Sequence, residues 1–187
     1  MGEDDLGKAA IATMTAEKPA NTPLKEAAIR FLDAHRLMTI ATNRPDGWPQ
    51  ATTVGYVNEG LVLYCFVSRL SQKFMNIHKD PRVSVAIATE FSRPTEIAGI
   101  SLAAKAVPVE DRAEFDRICG LLVERFPEYA DWPAPHSALA PLLRVTPEII
   151  SLVDYTKGFG HSDLFTAAKS DLAKHKGSQQ SDWLRAK

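Results

Sequence analysis

The run LMTIATN RPDGWP QATTVGYV NEG LVLYCFV, residues 37–67, holds three β-rich segments separated by two short turns. β-Branched and aromatic residues fill the segments, while Pro45-Asp46-Gly47 and Asn58-Glu59-Gly60 supply turn chemistry. That pattern predicts an antiparallel meander. The third segment, 61–67, is apolar at every position and has no polar face to give to water. Such a strand is expected to be covered on both sides, as in a barrel whose outside packs against a helix or another subunit.

Working outward, Thr22 and Pro23 suit a helix start, and Leu24, Ala27, Ala28, Phe31 and Leu32 repeat at helical spacing toward residue 36. After the meander, 71–79 reads as a short helix capped by Ser71 and stopped before Pro81, with Phe74, Ile77 and His78 as its inward side. Residues 82–88 and 97–109 are the next strands. Phe115, Ile118, Cys119, Leu122, Val123 and Phe126 then mark a helix over 110–126, and 144–155 supplies a last strand after a proline-rich stretch. About six strands, mostly hairpin-linked and interrupted by helices, predict a small antiparallel barrel of the α+β class. Residues 1–21 are read as a mobile arm, 22–163 as the folded domain, and 164–187 as a weakly helical or disordered tail.

Composition narrows the function. With 22 Lys+Arg against 23 Asp+Glu, a formal charge of −1 and 45% apolar residues, the chain has no basic nucleic-acid footprint, and no nucleic-acid partner is expected. No apolar stretch approaches the roughly 18 residues a membrane-spanning helix needs. The acidic first residues lack a secretory pattern, so the expected compartment is the cytoplasm. Cys65 and Cys119 lie in apolar surroundings without Cys-x-x-Cys spacing and read as small hydrophobes, a pairing between them being left to geometry. His35, His78, His136 and His175 show no ligand spacing, so no protein-held metal is expected.

Ser68-Arg69-Leu70-Ser71-Gln72-Lys73 gathers two hydroxyls, a guanidinium and an ammonium where a strand gives way to a helix. A fork, a point charge, hydroxyl donors and helix-start amides suit a phosphate. The same residues would also serve as a simple cap with solvated charges, and the fragment alone leaves both readings open.

A larger pattern bears on that choice. Gly47-Trp48-Pro49, the apolar strand, Ser71-Gln72-Lys73 with Asn76, and Asp80-Pro81-Arg82-Val83 together resemble the pyridoxamine 5′-phosphate oxidase-like family, the FMN-binding split barrels. The resemblance covers 24 to about 110 and returns at 144–163. It implies a six-stranded split barrel that forms a homodimer with flavin sites at the subunit interface. On that resemblance Ser68, Arg69, Ser71, Gln72 and Lys73 belong to the phosphate-gripping segment, and Thr52, Thr53 and Val54 lie along the isoalloxazine ring. It further implies an FMN-dependent oxidoreductase acting on a small molecule, with FAD or deazaflavin fitting the same phosphate segment and a non-catalytic flavin module as an alternative. Flavin carries the redox chemistry, so no particular catalytic residue is demanded. The Arg-x-His substrate grip of the vitamin B6 oxidase itself is missing, and that oxidation is not expected.

The segment Asp154-Tyr155-Thr156-Lys157-Gly158-Phe159-Gly160-His161 lacks the third glycine of a dinucleotide fingerprint, Asp163 standing in its place. It reads as a tight turn holding Lys157 and His161 near a ligand or a partner subunit. Similar endings occur among FMN-binding relatives, and haem-degrading split barrels carry a Gly-Phe-Gly element here. Haem near His161 is therefore the alternative cofactor. Trp48 and Trp132 are further candidates to stack on a flat ligand.

Overall fold

A computed structural model of the chain describes residues 18–19, 22–130 and 139–167. The strands are β1 (Lys18–Pro19), β2 (Leu37–Asn43), β3 (Pro49–Gly55), β4 (Val57–Glu59), β5 (Val62–Phe66), β6 (Arg82–Ala88), β7 (Ala98–Pro108), β8 (Leu142–Asp154) and β9 (Ser162–Thr166). Three helices accompany them: α1 (Thr22–Asp33), α2 (Gln72–Lys79) and α3 (Arg112–Arg125). The strands join in one sheet in the order β1-β9-β8-β7-β6-β2-β3, with β5 paired to β8 and β4 to β5. All pairings are antiparallel except the short β1–β9 contact. The sheet curls into a half-open α+β barrel.

The described residues hold nine strands where six are expected, for three reasons. The segment 50–57 breaks at Tyr56, whose N–H leaves the ladder and donates to Arg36 O (3.0 Å) while its hydroxyl donates to Leu32 O (2.8 Å). The chain thereby turns a corner from β3, paired with β2, to β4, paired with β5. The second addition is β9, which crosses the boundary drawn at 163/164, because Phe165 pairs with Ile150 and is wholly buried. The third is β1, lying within the segment read as an arm and paired with β9. The remainder of the arm, most of the tail, Trp132, His136 and His175 lie outside the described residues.

Alternation then sorts the side chains. Met38, Ile40, Val85, Ile100, Leu102, Leu63 and Val145 point into the barrel with Ala28 and Leu32 of α1 and Ile77 of α2. Each such aliphatic, fully withdrawn from water, contributes about 1.5–3 kcal/mol. Outside β4 and β5 lies a second core, where Val57, Val62, Tyr64 and Leu142 meet Ile118 and Phe126 from α3 and the turn after it. This is the cover that the apolar run 61–67 requires. His78 is exposed rather than inward. Both cysteines are free, Cys65 buried and Cys119 half-buried.

On β8 a register shift sets Ala103 opposite Ile149 and Ala104 opposite Pro147, leaving Glu148 as an extra residue. Glu148 O accepts from Ala167 N (3.1 Å), and its carboxylate pairs with Lys105 (3.6 Å). This bulge separates two stretches along one edge of β8: 142–145 pairs with β5, and 149–153 with β9.

Candidate functional site

The phosphate-type segment sits where β5 ends. Ser71 caps α2, its Oγ accepting from Phe74 N (3.3 Å) and donating to Ser68 O (2.6 Å). The Ser68 hydroxyl accepts from Leu70 N (3.2 Å), and Arg69 N donates to Leu139 O (2.7 Å). These bonds fold 68–71 into a tight loop and leave Ser68 and Arg69 exposed, with the Arg69 guanidinium 5.4 Å from the Phe74 ring centroid. The N–H groups of Gln72 and Lys73 open α2 and have no carbonyl within the helix to bond to. Loop and helix start thus bring backbone donors, the Arg69 guanidinium and the Lys73 ammonium into one short stretch of chain. The hydroxyl hydrogen of Ser71 is already committed to the loop, so its part here is to shape the cradle.

A buried carboxamide ties this cradle to the second predicted segment. Asn76, 0% exposed, donates to Thr42 Oγ1 (2.9 Å) and Gln50 Oε1 (3.2 Å) and accepts from Gln72 Nε2 (2.8 Å). The Gln72 side chain therefore braces α2 against β2 and β3. On β3, Thr53 faces outward while Thr52 and Val54 are half-buried on the barrel side. Thr52 Oγ1 is buried with no hydrogen-bond partner among the described residues. An unmatched buried hydroxyl costs free energy, on the order of 1–3 kcal/mol, and marks a place for a polar partner. β3 ends the sheet path, so the backbone donors and acceptors of its outer edge face no strand among the described residues.

Beside the corner between β3 and β4 lies an open cleft of about 130 Å³. Gly55, Tyr56 and Val57, next in the chain after Val54, line one side. Cys65 and Phe66, just before Ser68, line another, and Ile118 and Leu122 of α3 close it from outside. Burial pushes the Cys65 thiol up to about 12, so it is neutral at physiological pH. Behind the cleft Tyr64 donates to Glu114 (2.8 Å), whose carboxylate also receives Arg144 Nη1 at 2.8 and 3.1 Å, all three buried. This group holds α3 to the barrel.

Lys157 and His161 lie elsewhere. They belong to the β8–β9 connection, where Gly158 (φ +138°) and Gly160 (φ +75°) take backbone conformations that L side chains rarely adopt. Asp163 accepts from Lys157 (3.1 Å) and lies 3.2 Å from His161 Nε2. Lys157 and His161 hold the Asp163 carboxyl below its usual range. Phe159, 97% exposed, stands at the tip with its ring 5.5 Å from that of Tyr155. The cradle adjoins the β8 end at Leu142 and the hairpin leaves at Asp154, twelve residues on, which is roughly 40 Å of strand. Within one protomer the two groups of predicted residues do not meet. Trp48 sits exposed at the β2–β3 turn, at the opposite end of β3 from the cleft.

Residues 24–154 match the family model of pyridoxamine 5′-phosphate oxidase. The chain belongs to that family. Solved structures similar to this chain include a haem-binding protein of Mycobacterium smegmatis, 22% identical with a TM-score of 0.65, covering 80% of this chain and 59% of that one. The haem storage protein HutZ of Vibrio cholerae is 21% identical with a TM-score of 0.57, covering 66% and 89%. General stress protein 26 of Bacillus anthracis is 21% identical with a TM-score of 0.57, covering 77% and 98%. At these identities the likeness is one of fold. No curated protein matches the chain. The pyridoxamine 5′-phosphate oxidase fold thus accounts for the barrel, and within it sequence reasoning overlooked two things. One is Asn76 as the tie between β3 and α2, signalled by a carboxamide one helical turn after Gln72. The other is the cleft side of Gly55, Tyr56 and Phe66, for which no local signal exists.

Proposed function

We propose that the protein binds FMN by its phosphate at the start of α2 and works as a flavin-dependent oxidoreductase on a small molecule, assembled as a homodimer. The observation that supports this reading is the donor-rich Ser68–Lys73 segment, held through Asn76 to Gln50 of β3, a strand with an open edge and, at Thr52, a buried hydroxyl that lacks a partner among the described residues. In it, Arg69, Lys73 and the first amides of α2 hold the phosphate, Ser71 and Asn76 keep the cradle in shape, and the β3 edge with Thr52 orients the ring. FMN bound there would supply hydride or single-electron chemistry, while the chain positions it and limits water. FAD or a deazaflavin would use the same cradle. The bare outer face of β2, β3, β6 and β7 supports a second copy, whose hairpin would bring Lys157 and His161 to a site that one protomer leaves without them.

A specific observation favours haem as the second reading. His161 is half-buried with its ring oriented by Asp163, the arrangement by which a carboxylate fixes an imidazole ligand. Two structural relatives are also named for haem.

Absorption titration of the full chain with FMN and with haemin separates the two. The double variant Arg69→Ala/Lys73→Ala is expected to lose at least ~3 kcal/mol of FMN affinity, since charge-assisted bonds contribute about 1.5–3 kcal/mol each. Unchanged FMN affinity overturns the cradle assignment. A Soret band lost in His161→Ala, with no uptake of FMN by the wild type, establishes haem in its place.

A further inference from the structure

The cleft beside β3 has walls unlike those of the cradle. Its floor is Tyr56, Val57, Tyr64 and Cys65, each no more than 2% exposed, and its sides are Phe66 and Leu122. The polar side-chain groups in this lining are engaged by the protein. Tyr56 donates to Leu32 O and Tyr64 to Glu114. Arg36 Nη1 donates to Glu128 Oε1 (3.3 Å), and its guanidinium lies 5.1 Å from the Phe126 ring centroid. The rim is Leu37, 57% exposed at the start of β2.

The one charged side chain in this lining, Arg36, is already paired with Glu128 and is 66% exposed, so an anionic ligand would surrender its hydration for a weak, water-screened attraction. A flat apolar molecule would instead withdraw its own surface and that of Leu37, Phe66 and Leu122 from water. The cleft offers about 130 Å³, room for a small aromatic molecule but short of the ~300–1,000 Å³ of larger ligand sites.

We propose that this cleft between α3 and the β3–β4 corner is the substrate pocket and takes a small, uncharged aromatic molecule rather than a phosphorylated or carboxylated one. The inference rests on the reading that a planar cofactor lies along β3, because the cleft opens at Gly55, immediately after Val54. α3 is then the element that selects substrate, and Leu122 and Leu37 determine how much fits.

The test uses the full chain, with 2-naphthol as the uncharged probe and 2-naphthoate as its anionic counterpart, followed by calorimetry with and without FMN or haemin. Leu122→Trp fills the cleft from α3. Leu37→Trp obstructs the rim from an exposed position and guards against a folding defect in the first variant. Saturable binding of 2-naphthol, at least tenfold weaker binding of 2-naphthoate, and a loss of at least tenfold in either variant with cofactor uptake unchanged are expected. Equal binding of the two probes, no effect of either substitution, or no binding of 2-naphthol overturns the inference. So does joint loss of probe and cofactor in Leu37→Trp, which would make the cleft part of the cofactor site. If neither FMN nor haemin binds while 2-naphthol does so and is lost in the variants, the pocket stands and the cofactor reading fails.

Discussion

The two halves of the barrel wear different outer surfaces. Beneath α3, β5 and the first residues of β8 are almost wholly buried and, Arg144 apart, apolar through Val145. In the other half β6 alternates strictly, and its outward residues continue rows of small side chains across the sheet. One row runs Thr53, Thr39, Ala86, Ser101, Ser151, and another Ala51, Ala41, Ser84, Ala103. The covered half uses bulk and a buried ion pair to hold its helix. The bare half carries small side chains, with a groove along Ala41, Ser84 and Ala103, so the contrast separates what stabilises the protomer from what is open to contact.

The comparison is broken most severely by Glu114→Ala, which strands the buried Arg144 guanidinium and frees the Tyr64 hydroxyl. A loss of ~3–5 kcal/mol in denaturant unfolding is expected, and a loss below ~1 kcal/mol would mean that α3 is held by its apolar contacts alone.

Asp80 gives a smaller effect at the rim. Arg82, foremost, and Asn43 donate to its carboxylate and hold its carboxyl well below the usual range. The folded state thus binds this proton less readily than the unfolded chain. The stabilisation is complete above roughly pH 4 and is lost as pH falls through the carboxylate range and below. Asp80→Asn should cost on the order of 1 kcal/mol at neutral pH and flatten the acid limb of the stability curve. An identical acid limb would rule Asp80 out as its source.

The least effect on folding belongs to Ala86→Arg in the bare half, within ~0.5 kcal/mol for the protomer. With the proposed dimer formed through this face, light scattering should nevertheless report a halved mass, since a long charged side chain cannot be accommodated between two copies. A mass that stays dimeric would move the interface elsewhere.

How much of this was legible in the chain depended on range. The apolar run 61–67 announced a strand needing an outer cover, and Ser71 announced the start of α2, because both signals are local. The corner at Tyr56 was hidden, since 50–57 reads as one alternating strand and its break depends on Arg36 and Leu32 across the fold. β9 was hidden for a related reason. SDLFT is short and half polar, and only pairing with β8 buries Phe165. In the site, the residue types of the cradle were readable, and so was the glycine-dependent hairpin around His161. Their separation was not, because strand register sets it. Asn76 was readable as part of the family's motif but not its role, which depends on Thr42 and Gln50 from another part of the chain.

The extra residue at Glu148 gives β8 two docking berths on a single edge. The strand that helps close the barrel and the strand that ends the described chain never compete for the same backbone hydrogen bonds. Among the described residues, β9 can therefore be loosened or exchanged without touching the ladder that shapes the cleft, and what it would forfeit is Phe165, the ring it lends to the shared interior.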